Sequence, residues 1–301
     1  MQAAMDAGAV LVSRQTGEGG WPFTPACGQP ALEPTCLALL ALHSRHGTAR
    51  DRAIQFLLGS QNPNGSWSAF AGDDAEGCGL TGLALYALQR CGVRGNAIDR
   101  AIRWLLNLRG WESHWLWKWK FRTTDRRVRF DPEKYGWPWT PETVSWVVPT
   151  SYSLLALKRL SAQRQGDLLR LRMRRGVEML VDRACPNGGW NAGNGVVYGQ
   201  PMTPHLDATA LALLALVSEP PNELVAASLE WLNRRSETCF STWSLSWAIL
   251  ALHAHGRFPA PLLARLAGIS DPNKIQDCAT LAVAALAFDC VEGKNVFQES
   301  T

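Results

Sequence analysis

Six short segments of this chain are apolar nearly all the way round a helical turn, and each is a near copy of the others. They are 35–42 (TCLALLAL), 81–88 (TGLALYAL), 150–157 (TSYSLLAL), 209–216 (TALALLAL), 242–251 (TWSLSWAILA) and 280–287 (TLAVAALA). A helix without a polar stripe has to be covered on every side, so these segments predict inner helices. Between them lie 53–61, 98–108, 168–181 and 223–234, with charges on one face and Ile, Leu or Trp on the other, the pattern of helices that meet water on one side. Partial copies at 1–14 and 261–269 complete the alternation. The irregular spacing of the copies marks a repeat with insertions. Six inner and six outer helices in alternation predict an all-α fold, a two-layer α/α toroid.

Three connections from an outer to an inner helix share a second pattern. Residues 15–21 (QTGEGGW) and 61–67 (QNPNGSW) both read Gln, three residues, Gly, one residue, Trp, while 184–190 (ACPNGGW) keeps Gly188 and Trp190 but has Ala184 in place of Gln. Glycine allows the left-handed backbone that follows a helix end, the Gln amide can satisfy orphan carbonyls, and Trp can pack between the layers.

On these residues the chain resembles the terpenoid cyclase and protein prenyltransferase superfamily, whose repeat carries this Gln-to-Trp motif and whose fold is an α/α toroid. The resemblance runs from Ala3 to about Val291, and 135–150 (YGWPWTPETVSWVVPT) and 185–209 look especially like single-domain squalene-cyclase-like proteins.

Composition fits a well-cored globule: 301 residues, 47% of them hydrophobic, suffice for one large domain or two small ones. A closed ring cannot be cut without exposing apolar edges. One domain over 1–301 is therefore expected, with a Trp- and Arg-rich insertion at about 109–142. No apolar run reaches the roughly 18 residues needed for a bilayer span. Residues 1–15 carry Asp6 and a helical pattern instead of a secretory leader, so a cytoplasmic location is the default expectation. None of the eight cysteines forms a CxxC pair, and several stand where other repeats have Ala or Ser, which reads as buried reduced thiols.

A net charge of +4 gives little reason to expect nucleic acid. The stretch 109–129 departs from that average, with Trp111, Trp115, Trp117 and Trp119 among Lys118, Lys120, Arg122, Arg126, Arg127 and Arg129. It is expected to fold over the ring with its tryptophans inward and its arginines solvated. Peripheral membrane contact, or a diphosphate held by Arg122 and Arg126, is the functional alternative.

The residues just before each apolar copy should line one mouth of the ring. Acids there are accounted for by helix capping, as expected for Glu33 and Asp277. Asp207 is the sharper case. In class II cyclases, which the chain resembles, the middle aspartate of DxDD or DxDTT protonates an alkene or epoxide. The matching stretch here is His205, Leu206, Asp207, Ala208, Thr209, which fills the donor position and leaves out its acidic neighbours. Asp207 is thus the candidate acid with His205 its orienting partner, although capping or structural duty also accounts for it. A carbocation would need an aromatic lining. Trp146, Tyr152, Trp243 and Trp247 are the candidates, with Asp73 and Asp74 as further binding residues.

What the resemblance implies is class II cyclisation of a linear isoprenoid, with no metal site or cofactor, Mg²⁺ entering only with a diphosphate substrate. The alternative is a toroid without chemistry that binds a hydrophobic ligand or a protein partner. Zinc-dependent prenyl transfer needs three or four converging ligands, and Asp277, Cys278 and His205 do not assemble one by spacing. A glycosidase would need two opposed carboxylates, for which Asp73 or Asp74 with Asp207 is the available pair. No GxSxG, GxxxxGK[ST] or HExxH motif is present.

Overall fold

The computed structural model describes residues 2–45, 47–123, 129–161, 166–290 and 294–298. In chain order its α-helices are α1 (Gln2–Ser13), α2 (Leu32–Leu42), α3 (Gly47–Gly59), α4 (Thr81–Arg90), α5 (Asn96–Asn107), α6 (Trp115–Thr123), α7 (Val147–Ser161), α8 (Asp167–Asp182), α9 (Leu206–Ala215), α10 (Glu223–Ser236), α11 (Thr242–Ala254), α12 (Ala260–Ile269) and α13 (Cys278–Asp289). A two-stranded antiparallel hairpin, β1 (Val196–Val197) with β2 (Gln200–Pro201), sits in the connection from α8 to α9.

Each apolar copy falls within a buried helix. In α9 every residue from Ala208 to Ala215 is buried, and in α13 all but one of the residues are. These helices form a closed inner ring: α2 packs on α4, α4 on α7, α7 on α9, α9 on α11, α11 on α13, and α13 back on α2. Outside it, α3 covers α2, α5 covers α4 and α8 covers α7, while α10, α12 and α1 each bridge two inner neighbours. Closure leaves no inner helix with an unpaired apolar side. The helix α6 belongs to neither layer.

One device joins the layers four times. The backbone N–H of Trp21, Trp67, Trp137 and Trp190 donates to the hydroxyl of Thr35, Thr81, Thr150 and Thr209 respectively, at 2.9 to 3.0 Å. Each threonine opens the apolar copy that follows and is fully buried. The same four indoles donate from Nε1 to the carbonyls of Leu11, Leu57, Leu105 and Leu180 at 2.6 to 2.8 Å. Those carbonyls lie near the C-terminal ends of outer helices, where intrahelical donors run out. Gln15 and Gln61 add amide bonds to Gly19 and Gly65 and to Ala49 and Ala97 on the following outer helix. Gly19 and Gly65 have φ of +99° and +98°, and a Cβ on either would lie 2.6 Å from a backbone oxygen of the next outer helix.

Trp137 is the copy that the sequence pattern did not reveal, because the insertion displaces it far from α5 and no Gln precedes it. At α11 and α13 the Trp is absent and side-chain caps replace it. Ser241 accepts from Ser244 N–H at 3.2 Å, and Asp277 from Thr280 N–H at 2.6 Å. All eight cysteines are free thiols.

Replacing Trp67 by Phe removes the indole donor and leaves the Leu57 carbonyl with only the Ser60 hydroxyl, at 3.3 Å. The variant should lose about 2 kcal/mol of folding stability, measured by chemical denaturation.

Candidate active site

The first turns of the inner helices meet at one mouth of the ring, and at the opposite mouth 294–298 packs beside a cavity of about 290 Å³ lined by Tyr86, Leu155, Arg159, Leu214, Val217 and Phe297. There Phe297 stacks on Tyr86 with ring centroids 5.5 Å apart and lies 5.5 Å from Trp247. The Tyr86 hydroxyl donates to Val296 O at 2.6 Å, and the Asn295 amide to Leu250 O at 3.0 Å, which pins 294–298 against the ends of α4 and α11.

Asp207, the second residue of α9, is half-buried at that mouth. Its Oδ2 accepts from Trp243 Nε1 at 3.3 Å and its Oδ1 from Ala208 N at 3.0 Å, two N–H donors that stabilise the anion. Trp243 meets Trp247 edge-on at 5.7 Å, and Trp247 lies 6.5 Å from Tyr152 of α7. Tyr152 and Trp247 are 1% and 0% exposed, yet neither the Tyr152 hydroxyl nor the Trp247 N–H has a hydrogen-bond partner. Burial pushes the Tyr152 phenol well above its usual range, and the charges of Glu33 and Asp207 add to that.

Glu33, the second residue of α2, is also half-buried and accepts no hydrogen bond among the described residues. Loss of water, then the Asp277 carboxylate, raise its pKa to about 7. The expected capping role thus divides: Asp277 caps α13, while Glu33 caps nothing. Cys36, one turn along α2, is pushed well up by burial and then by Glu33, and burial is the main cause that lifts Cys78 to about 11.

The remaining sequence candidates are dispersed. His205 is the N-cap residue of α9, and it acts through its backbone: its N–H donates to Trp190 O at 2.8 Å and its carbonyl accepts from Thr209 N at 3.0 Å. Its exposed imidazole forms no hydrogen bond with Asp207, whose orientation is fixed by Trp243 instead. Asp73 and Asp74 are exposed in a turn, where Asp74 accepts from Gly77 N at 2.5 Å. Trp146 is half-buried against Gly193, in the connection from α8 to α9. The Arg122 side chain and all of Arg126 lie outside the described residues. In α6 the tryptophans are not all inward: Trp117 packs on Trp111 at 5.6 Å, but Trp115 and Trp119 are 69% and 63% exposed. The helical period explains this, since positions 115 and 119 share a face that 117 does not. A cavity of about 600 Å³ lies outside the ring beside Phe130, Asp182 and Val196, and touches none of the candidates. Among the described residues, no three His, Cys, Asp or Glu side chains group as a metal site would require, and no helix is long and apolar enough to cross a membrane.

No protein-family model matches the chain. In sequence it is similar to a drimenyl diphosphate synthase from Streptomyces showdoensis, 25% identical over 217 residues that make up 60% of this chain and 40% of the relative. It thus spans well under half the length of the curated relatives it matches. In fold it is similar to the type II terpene cyclase MstE from Scytonema, with a TM-score of 0.60, 14% identity and coverage of 96% and 97% of the two chains. An α-amylase from Clostridium perfringens gives a TM-score of 0.66 at 11% identity, with coverage of 95% and 97%. The α/α toroid is therefore shared with sugar-cleaving proteins, whereas the sequence likeness is to terpenoid synthases. The resemblance to the terpenoid cyclase superfamily rests on the sequence likeness, and the fold likeness shows the α/α toroid alone.

Glu33 has a consequence for stability that needs no substrate. Its pKa is higher in the folded chain than in the unfolded one, so the folded state binds the proton more tightly and this contribution is fully present below about pH 4.5. Stability is lost as pH rises through the folded value of about 7. Glu33→Gln should remove this component, amounting to about 3 kcal/mol, so that denaturation midpoints of the variant fall less steeply than the wild type's across that window.

Proposed function

We propose that this toroid carries out proton-initiated cyclisation of a linear isoprenoid, with Asp207 as the general acid. The observation that carries the reading is the setting of Asp207. Its carboxyl stands at the mouth of an apolar ring, accepts from the Trp243 and Ala208 N–H groups, and adjoins through Trp243 the aromatic cluster of Trp247 and Tyr152. Protonating an alkene leaves a carboxylate behind, and the two N–H donors are placed to hold it. The proton passes from Asp207 to one alkene carbon, the π electrons form the new C–H bond, and the cation left on the other carbon is attacked by the next double bond. Aromatic faces stabilise the migrating positive charge, and a hydrocarbon chain filling the mouth excludes the water that would quench it. Similarity in sequence to drimenyl diphosphate synthases supports the substrate class.

The step needs no cofactor from the residues present, and Mg²⁺ would enter only with a diphosphate-bearing substrate. His205 and Ala208 stand where the class II motif has further acidic or hydroxyl residues, and that absence favours a second reading. In it the same mouth binds a hydrophobic ligand without converting it.

Asp207→Asn separates the two. Incubated with farnesyl diphosphate, geranylgeranyl diphosphate or squalene, the wild type should form cyclic product and the variant should lose at least about 10²-fold of that rate at an almost unchanged thermal midpoint. Retention of an unaltered prenyl compound by both proteins supports the binder.

A further inference from the structure

The segments 32–40 (LEPTCLALL) and 206–214 (LDATALALL) are the most alike of the repeat copies, and they place Glu33 and Asp207 at the same position, two residues before Thr35 and Thr209. At that position the other four copies have Gly79, Val148, Phe240 and Cys278. In the ring order α2, α4, α7, α9, α11, α13, the helices that carry the two acids stand opposite each other. The mouth therefore holds one carboxyl on each of two facing walls. Between them lies the Tyr152 phenol, which feels both charges, and its buried hydroxyl and the buried Trp247 N–H have no partner in the protein. An unsatisfied buried donor costs about 1–3 kcal/mol and is kept where a ligand or a reaction uses it.

We propose that Glu33 is the second catalytic carboxyl of this site, the base that takes up the proton released when the cyclised cation collapses to an alkene. The inference rests on the proposed cyclisation and adds its terminating step. A C–H bond next to the cationic carbon breaks, its electron pair forms the C=C bond, and the proton goes to a Glu33 oxygen, so one proton enters from Asp207 and one leaves to Glu33. The division of labour follows from the two environments. Asp207 has an N–H donor on each oxygen, placed to hold the carboxylate left after a proton is given away. Glu33 has no such donor, and its desolvated carboxylate binds a proton tightly near neutral pH, which suits the group that receives one. The groups that face Glu33 are Asp277 at the start of α13, Tyr152 of α7, Cys36 on its own helix and Cys78 before α4. Arg14 of the α1 end reaches the carbonyl of Ile275, next to Asp277's segment. Of these, Asp277 repels the Glu33 carboxylate and so raises its proton affinity, while the thiols and the phenol carry no charge that would neutralise it.

The test is Glu33→Gln with Glu33→Asp as the conservative control, on the full chain with the same three prenyl probes, after checking that each variant unfolds cooperatively. Glu33→Gln should still consume substrate in an Asp207-dependent way, but about 10²-fold more slowly. Water-quenched alcohols should replace alkene products, and the rise of wild-type turnover through about pH 7 should flatten. Glu33→Asp should recover part of the alkene product. A purely structural Glu33 would alter stability without shifting the alkene-to-alcohol ratio or the pH profile. Asp207-dependent conversion that Glu33→Gln leaves intact in rate, product ratio and pH profile overturns this inference alone. A wild type that converts none of the probes overturns the cyclisation reading and the inference together.

Discussion

The architecture depends on the pairing of a buried threonine hydroxyl with a tryptophan backbone N–H, made at four of the six junctions between layers. Each threonine also donates back to the carbonyl of the same tryptophan, at 3.1 to 3.4 Å. The indole then reaches the fraying end of the preceding outer helix. One residue thereby fixes where an outer helix stops, where an inner helix starts and how far apart they lie. Without that register the apolar copies would have no reason to present the same turn to the axis, and side chains at equivalent positions would not meet at one mouth. The two junctions that lack the tryptophan rely on Ser241 and Asp277 caps, which fix a helix start but not its distance from the outer layer.

A ring closed in this way is apolar inside, and polar groups at its mouth feel that. Asp207 and Glu33 occupy equivalent positions on opposite walls, but their surroundings differ in one respect that changes their chemistry. A Trp243 indole leans toward Asp207 from the neighbouring helix α11, whereas nothing reaches Glu33 and the nearest charge, Asp277, repels it. Of two carboxyls with the same sequence context, one is thereby held by two N–H donors and the other is left with none. At the opposite end of the ring Phe297 packs on Tyr86 and Trp247, beside a cavity of about 290 Å³.

The sequence located the helices to within a few residues because burial on all sides and burial on one side leave different periodicities. Segment 209–216 became α9 (Leu206–Ala215), and 168–181 became α8 (Asp167–Asp182). It also singled out Asp207, Tyr152, Trp243 and Trp247, which do gather at the mouth. It was less informative wherever a role depends on a partner from elsewhere in the chain. His205 neighbours Asp207 along the chain yet its side chain is exposed and makes no cap hydrogen bond, unlike the N-cap side chains of Ser241 and Asp277. Trp115 and Trp119 carried the composition of a packed insertion but face outward.

The chain by itself determined the all-helical ring, its two layers and the junction chemistry, since those follow from local periodicity and from residues a few positions apart. Only the tertiary structure decided which of the acids at the mouth caps a helix and which is left without a donor. Glu33 and Asp277 are indistinguishable as first-turn or cap-position acids in the sequence, but Asp277 accepts from Thr280 N–H whereas Glu33 is left desolvated with no donor. Proton affinity is set by the water removed and the dipoles supplied by helices far apart in the chain, and that information exists only once the ring has closed.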